Sequence, residues 1–278
     1  MEMTWKTPTA EELRQIATAI RRDVLRLSFE ARASHIGSAF SIIEILTALY
    51  FAFMNTDPER PLSDERDRFI LSKGHACTAL YATLARRGYF DKNILEKFGV
   101  DGGTLEHHPT RNVHLGIEAS TGSLGHGLSI GSGMALASKR SGPPHRVFVL
   151  QSDGEMNEGS VWEAALFSAH HRLDNLVAIV DCNGMQALGA TREVINTDPV
   201  VEKWRAFGWG VREVNGHDIP QILGALGGVP FEPGRPNVIV ARTVKGKGVS
   251  FMENELLWHY RIPDEEEYRR ALAELENR

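Results

Sequence analysis

The stretch RVFVLQSDGEMNEGSVWEAALFSAHHRLDNLVAIVDCNG, from Arg146 to Gly184, decides the fold. Val147, Phe148, Val149 and Leu150 form an apolar run suited to a buried parallel strand, and Asp153-Gly154 breaks it. A helix is predicted from about Glu158 to Arg172, and Leu176 to Val180 reads as a second buried strand, which completes a βαβ unit. Beyond Trp209 to Val214, a third apolar strand is predicted at Val238 to Ala241, followed by a Gly-containing turn at Lys245 to Gly248. Upstream, Arg68 to Leu71 reads as a short strand. Strands alternating with helices predict an α/β protein with a mostly parallel sheet and helices on both faces.

Toward the N-terminus, Leu13, Ile16, Ala17, Ile20, Val24 and Leu27 recur at helical spacing, so Thr9 to Ala33 is predicted helical, with Arg14, Arg21, Arg22 and Arg26 on a solvated face. Ser41 opens a second predicted helix ending near Met54, before the turn-like stretch Asn55 to Asp64. Gly99 to Thr121 is a long loop rich in Gly and His, and such loops usually bind something. The 278 residues, 42% hydrophobic and 24% charged, have the makeup of a soluble globular protein and read as a single domain over 1–278. With 31 Lys and Arg against 36 Asp and Glu the net charge is −5, which gives no footing for nucleic acid. Ala39 to Met54 is short for a membrane span and carries Glu44, so a buried helix is expected and no membrane role. Cys77 and Cys182 stand far apart, which excludes a disulfide framework or zinc ribbon and points to the cytoplasm; Met1 to Arg22 lacks the apolar stretch of a signal peptide.

In open α/β sheets ligands collect beyond the carboxyl ends of the strands. Asp153 follows one strand and Asn183 the next, so a single crossover brings a carboxylate and an amide oxygen to neighbouring places on one rim. Those two, with a carbonyl just after Asn183, two diphosphate oxygens and a water, would complete a Mg²⁺ shell. Taken alone, Asp153-Gly154 and Asn183-Gly184 are more often plain turns. Thr121-Gly122-Ser123-Leu124-Gly125-His126-Gly127 shifts that weighting: it leads into a helix containing Gly131, Gly133, Ala135 and Ala137, and glycines at such a bend let backbone N–H groups approach an anion. Tight helix packing explains the same small residues equally well.

These residues add up to a family pattern. The chain resembles the N-terminal, thiamine-diphosphate-binding half of transketolase, through Ser34-His35-Ile36-Gly37, Ser72-Lys73-Gly74-His75-Ala76, His108-Pro109, Thr121 to Gly127, Ser152 to Gly159 with Trp162-Glu163-Ala164, and Asp181 to Asn183. The resemblance implies thiamine diphosphate and Mg²⁺, with Ca²⁺ or Mn²⁺ as substitutes, and makes Asp153, Asn183 and the main-chain oxygen of Met185 the metal ligands. It implies that Gly154 lets the diphosphate sit close, that Gly122, Ser123 and Leu124 touch the organic part of the cofactor, and that Glu158 faces an activating glutamate from a partner. His35, His75, His108 and His259 match family histidines: His75 and His259 for the diphosphate or proton transfer, His35 and His108 for substrate hydroxyls. Ser152 for Gly, Cys182, His126 for Gln, Ser123 for Pro, and Ala187-Leu188-Gly189 depart from the pattern.

Cleaving a ketose between C2 and C3 removes a hydroxyl proton and condensation returns one, work suited to groups titrating near neutrality. For His107, His114, His145, His170, His171 and His217 a surface or capping place is expected, with His170 and His171 mid-helix. The family's pyrimidine-binding domain has no counterpart in the sequence, so the resemblance implies a split transketolase whose separate C-terminal, pyrimidine-binding subunit completes the site, most simply as an α₂β₂ heterotetramer acting on sugars or sugar phosphates. Two alternatives stay open: a component acting on a 2-oxo acid, similar to deoxyxylulose-phosphate synthase, and a non-catalytic homologue.

Overall fold

The computed structural model describes residues 8–277; Met1 to Thr7 and Arg278, the ends of the predicted domain and part of the signal-peptide argument, lie outside the described residues. Helix α1 (Ala10–Glu30) is opened by a capping box between Thr9 and Glu12. It buries the predicted stripe of Leu13, Ala17, Ile20, Val24 and Leu27. One expectation fails here: Arg21 is buried rather than solvated, because it reaches Glu44 at 2.7 Å. The next helix begins earlier than Ser41, as α2 (Ile36–Phe40), and resumes as α3 (Ile43–Ala48) with a wider turn over Leu49–Phe53. Ser41 marks the break, since its hydroxyl turns inward to Asp181 at 2.7 Å.

Strand β1 (Arg68–Leu71) and helix α4 (Cys77–Arg87) follow, then the His-rich loop, α5 (Gly127–Ser141), β2 (Val147–Ser152), α6 (Gly159–His170) and β3 (Leu176–Cys182). The chain continues through α7 (Thr191–Val194), α8 (Val200–Ala206), β4 (Gly210–Asn215), α9 (Ile219–Gly227), β5 (Asn237–Arg242) and α10 (Glu265–Glu276). All four strand pairings are parallel, in the order β1-β2-β3-β5-β4. The period of two along the strands divides the core. Phe148, Leu150, Val177 and Ile179 pack toward α1, α3, α4 and α9, whereas Val147, Val149, Leu176 and Ala178 pack toward α5, α6 and α8. A Cβ at Gly131 would stand 2.4 Å from Val149, so α5 lies close on β2 only because that residue is glycine.

The parallel sheet decides where chemistry can happen. Every strand ends on one rim, which places Ser72-Lys73 after β1, Asp153 after β2, Asn183 after β3, Gly216-His217 after β4 and Thr243 to Lys245 after β5. His170 and His171 lie at the C-terminal end of α6, not mid-helix, and so at the opposite end of the layer from the rim.

Candidate active site on the carboxyl rim of the sheet

Asp153 sits in the notch between β2 and β3 with 3% of its surface exposed. Its Oδ1 accepts from Gly154 N at 2.9 Å and its Oδ2 from Gly184 N at 2.8 Å and Thr191 Oγ1 at 3.3 Å. Burial, and then the neighbouring Asp181, push its carboxyl up to about 6. A cation would relieve both penalties. Asn183, also buried, donates Nδ2 to Asp181 at 2.9 Å and accepts Met185 N on Oδ1 at 3.1 Å, so the crossover joins the two predicted ligand side chains and orients the segment bearing the Met185 carbonyl. Among the described residues no group of three or more His, Cys, Asp and Glu side chains could hold a metal. A cation here would rely on Asp153, amide and main-chain oxygens and the oxygens of its own ligand, a donor set that fits Mg²⁺ with a diphosphate. Beside this notch lies a cavity of about 380 Å³ lined in part by Asp153, Cys182, Asn183, Thr191 and Arg242. Burial pushes the Cys182 thiol well up, so it stays protonated. Leu188, at the tip of the turn closed by Gln186 N and Gly189 O, is 80% exposed.

The Gly-rich loop is welded to β1 and β2. A Cβ at Gly127 would stand 2.2 Å from Ser72 Oγ, and one at Gly122, whose φ is +147, would stand 2.8 Å from the His108 ring. Buried Glu155 ties the pieces together, accepting from Ser72 Oγ, from Gly125 N at 2.9 Å and from Ser152 N at 3.3 Å. Ser152 Oγ accepts from Glu155 N at 3.2 Å, so the serine that departs from the family glycine caps the turn it enters. Ser123 is exposed and Leu124 half-buried beside it; His126 is exposed and bonds back to Leu124 O at 3.1 Å. Glu158 stands exposed at the start of α6, against the Gly125 bend.

All four predicted histidines converge from four separate segments. Ring centroids are 5.1 Å apart for His35 and His75, 4.9 Å for His35 and His259, and 5.8 Å for His75 and His259. His108 joins them against Gly122, on the exposed side of the cleft. His35 is left-handed, with φ of +70 at the start of α2, and its N–H donates to His259 O at 3.0 Å. Burial, then His108 and Lys245, hold the His35 imidazole down to about 4. Burial, then Lys245, hold His259 down to about 3, and burial with Lys73 holds His75 well below the usual range. All three are therefore neutral at neutral pH, and the expectation of groups that titrate near neutrality is not met at these three, because burial and the nearby lysines disfavour the imidazolium.

Several of these determinants were not singled out from sequence. Lys73 and Asp181, both wholly buried, pair at 2.6 Å, and Asp181 also accepts from Ser41, Thr243 and Asn183. Burial alone would raise Asp181, but Lys73, with the Thr243 and Ser41 hydroxyls, holds it below the ordinary carboxylate range. Lys245 Nζ lies 2.7 Å from His259 Nδ1, and burial with Lys73 pushes that lysine down to about 8. The available signal was a charged residue at the end of each buried apolar run, where a solvated side chain is not expected. Gln186 Nε2, His35 Nδ1, Thr121 Oγ1 and Asn157 Oδ1 are buried without a hydrogen-bond partner among the described residues, which leaves polar capacity for a ligand. Of the six histidines expected at surface or capping places, His107, His114 and His170 are exposed and His171 closes α6, while His145 is half-buried against Pro143 O. His217 differs: it is half-buried and bonded at both ring nitrogens.

The carboxyl rim of this parallel α/β sheet thus combines a buried aspartate, a glycine-lined bend and clustered neutral histidines, the arrangement of a ligand-binding domain. The sequence model of the family described as "Transketolase, thiamine diphosphate binding domain" matches residues 13–271, and the chain belongs to that family. It is 42% identical over 258 residues to an apulose-4-phosphate transketolase subunit of Phocaeicola vulgatus, covering 93% of this chain and 92% of that protein. To "6-deoxy-6-sulfo-D-fructose transketolase subunit SqwG" of Clostridium sp. it is 42% identical over 265 residues, covering 95% of this chain and 96% of that protein. The solved transketolase from Leishmania mexicana superposes with a TM-score of 0.87 at 28% identity, over 95% of this chain but 41% of that one. The chain thus spans about two fifths of the solved transketolases and nearly all of the relatives named as subunits. No helix among the described residues is long and apolar enough to cross a membrane.

Proposed function

We propose that this chain is the diphosphate-binding subunit of a two-component transketolase, moving a two-carbon ketol unit from a ketose to an aldose in a site shared with a separate pyrimidine-binding subunit. One observation carries the reading: a chain of the thiamine-diphosphate-binding family matches 41% of a solved transketolase but 92% of a relative named as one subunit of such an enzyme. Asp153, Asn183 and the main-chain oxygen of Met185 would hold Mg²⁺, and Gly154 would let the diphosphate sit close. Bound thiamine diphosphate supplies the carbanion sink that ketol transfer needs. Gly122, Ser123 and Leu124 line its organic part, and exposed Glu158 meets the partner.

The histidines handle protons. Because His259 is neutral and Lys245 stands at its Nδ1, the imidazole carries its proton on Nε2 and presents a donor to the cleft. His35 and His108 lie where a substrate hydroxyl can enter, His108 on the open side, so they orient the hydroxyl and carry its proton as the C2–C3 bond breaks or forms. His75, most deeply enclosed, lies nearest Lys73 and excludes water from the diphosphate side. The relatives' names, one a sugar phosphate and one a sulfo-sugar, support an anionic ketose as substrate. An α₂β₂ assembly is the simplest stoichiometry for such shared sites, and two free buried cysteines suit the cytoplasm. The test is reconstitution: the purified chain alone is expected to be inert and to gain ketol transfer on addition of the pyrimidine-binding subunit, thiamine diphosphate and Mg²⁺. Robust turnover by the single chain would refute the split-site reading.

A further inference from the structure

We propose that His217 is a positioning residue that sets where Lys245 stands against His259, through a hydrogen bond to the main chain of Val244 and without touching cofactor or substrate. The inference rests on the ketol-transfer reading for its effect on turnover, but its geometry stands apart from it. His217 lies on the turn after β4, behind the histidine cluster. Its Nδ1 is 3.0 Å from Glu44 Oε2, and its Nε2 accepts from Val244 N at 2.8 Å. One nitrogen faces a carboxylate and the other an N–H, so the ring must be neutral with its proton on Nδ1; a second proton would set two donors against each other.

Glu44 is held for this task. Burial would raise its carboxyl, but Arg21 at 2.7 Å and His217 hold it down to about 2, so it is an ionised acceptor near neutral pH. Arg21, Glu44 and His217 come from α1, α3 and the β4 turn, and together they fix the imidazole in one orientation. On its far side the anchored segment is Val244-Lys245-Gly246, whose Gly246 N donates to Gly37 O at 2.9 Å and whose Lys245 O accepts from Asn254 N at 2.9 Å. The next polar contact outward is Lys245 Nζ to His259 Nδ1 at 2.7 Å. Removing the Nε2 acceptor frees the first anchor of this segment, and the ammonium that dictates the His259 tautomer then loses its fixed place.

Two substitutions separate this role from simple packing. His217→Gln places an acceptor where Nε2 stood and keeps the bond to Val244, whereas His217→Asn places an amide where Nδ1 stood and keeps only the bond to Glu44. In the full chain without partner, long-range ¹H–¹⁵N correlation spectra of the imidazoles are expected to show His259 protonated on Nε2 in the wild type and in His217→Gln, and as a tautomer mixture in His217→Asn. With the partner subunit, His217→Asn is expected to lower kcat by about 10-fold, at the low end of what loss of reacting-group alignment costs, with KM and thiamine diphosphate affinity within about 2-fold because the diphosphate ligands lie on other strands. His217→Gln is expected to keep at least half of kcat. Equal impairment of the two variants, or a wild-type His259 signal in His217→Asn, overturns the proposal. Failure of the wild-type pair to transfer a ketol unit would overturn the functional reading instead and leave the tautomer comparison intact.

Discussion

Between β2 and β3 on the rim a carboxylate is crowded by a second carboxylate, whereas beyond the ends of β1 and β5 histidines are crowded by lysines. Burial and Asp181 push Asp153 up to about 6, while Lys73 and Lys245 add to burial in holding His75, His35 and His259 down. The two imbalances are opposite in sign: a cation would offset the first, whereas in the second the lysines keep the imidazoles unprotonated.

That contrast can be broken from either side. Asp153→Ala is expected to have the largest effect, abolishing the rise in Tm that Mg²⁺ and thiamine diphosphate together produce; an unchanged rise would mean that the site lies elsewhere. Lys73→Met leaves Asp181 buried without its cation and is expected to cost about 3–5 kcal/mol in urea unfolding, as for other broken buried pairs. A loss below about 1 kcal/mol would show that Ser41, Thr243 and Asn183 suffice. His108→Ala, at the open side of the cleft, is expected to lower kcat by about 100-fold while cofactor affinity holds, which isothermal titration and steady-state kinetics with the partner would separate.

A smaller effect follows from the depressed imidazoles. His35 titrates at about 4 and His259 at about 3 in the folded chain against 6.5 when unfolded, so below pH 6.5 the unfolded chain takes up more protons and stability falls as the pH falls. His35→Asn, a residue that tolerates the left-handed backbone there, is expected to flatten the drop in urea midpoint between about pH 6.5 and 4.5. An identical slope in both proteins would mean that His35 is not held neutral by the fold. The smallest effect is expected at the exposed turn tip, where Leu188→Asp should shift the isolated chain's stability by no more than about 0.5 kcal/mol.

Much of the rim was legible before any coordinates because its parts are local. Asp153 and Asn183 flank one crossover, and the run-break-run pattern of Val147 to Val180 shows where the strands end. Arg21 was misjudged for the opposite reason: it looks like one charge on the solvated face of an amphipathic helix, and only helix packing turns it toward Glu44, which in turn meets His217. Ser41, read as a helix start, is a helix break because its hydroxyl serves Asp181, 140 positions away.

The sequence by itself determined the parallel sheet, its two buried faces, the position of the rim and the family, since buried runs and short motifs express backbone pattern and local spacing. Tertiary structure alone decided the electrostatics: which lysines stand beside which histidines, which carboxylate is crowded by another, and why His217 is anchored at both nitrogens. Those properties depend on distances of a few ångströms between residues as remote as Lys73 and Asp181, and on burial that strengthens charge interactions once water is excluded.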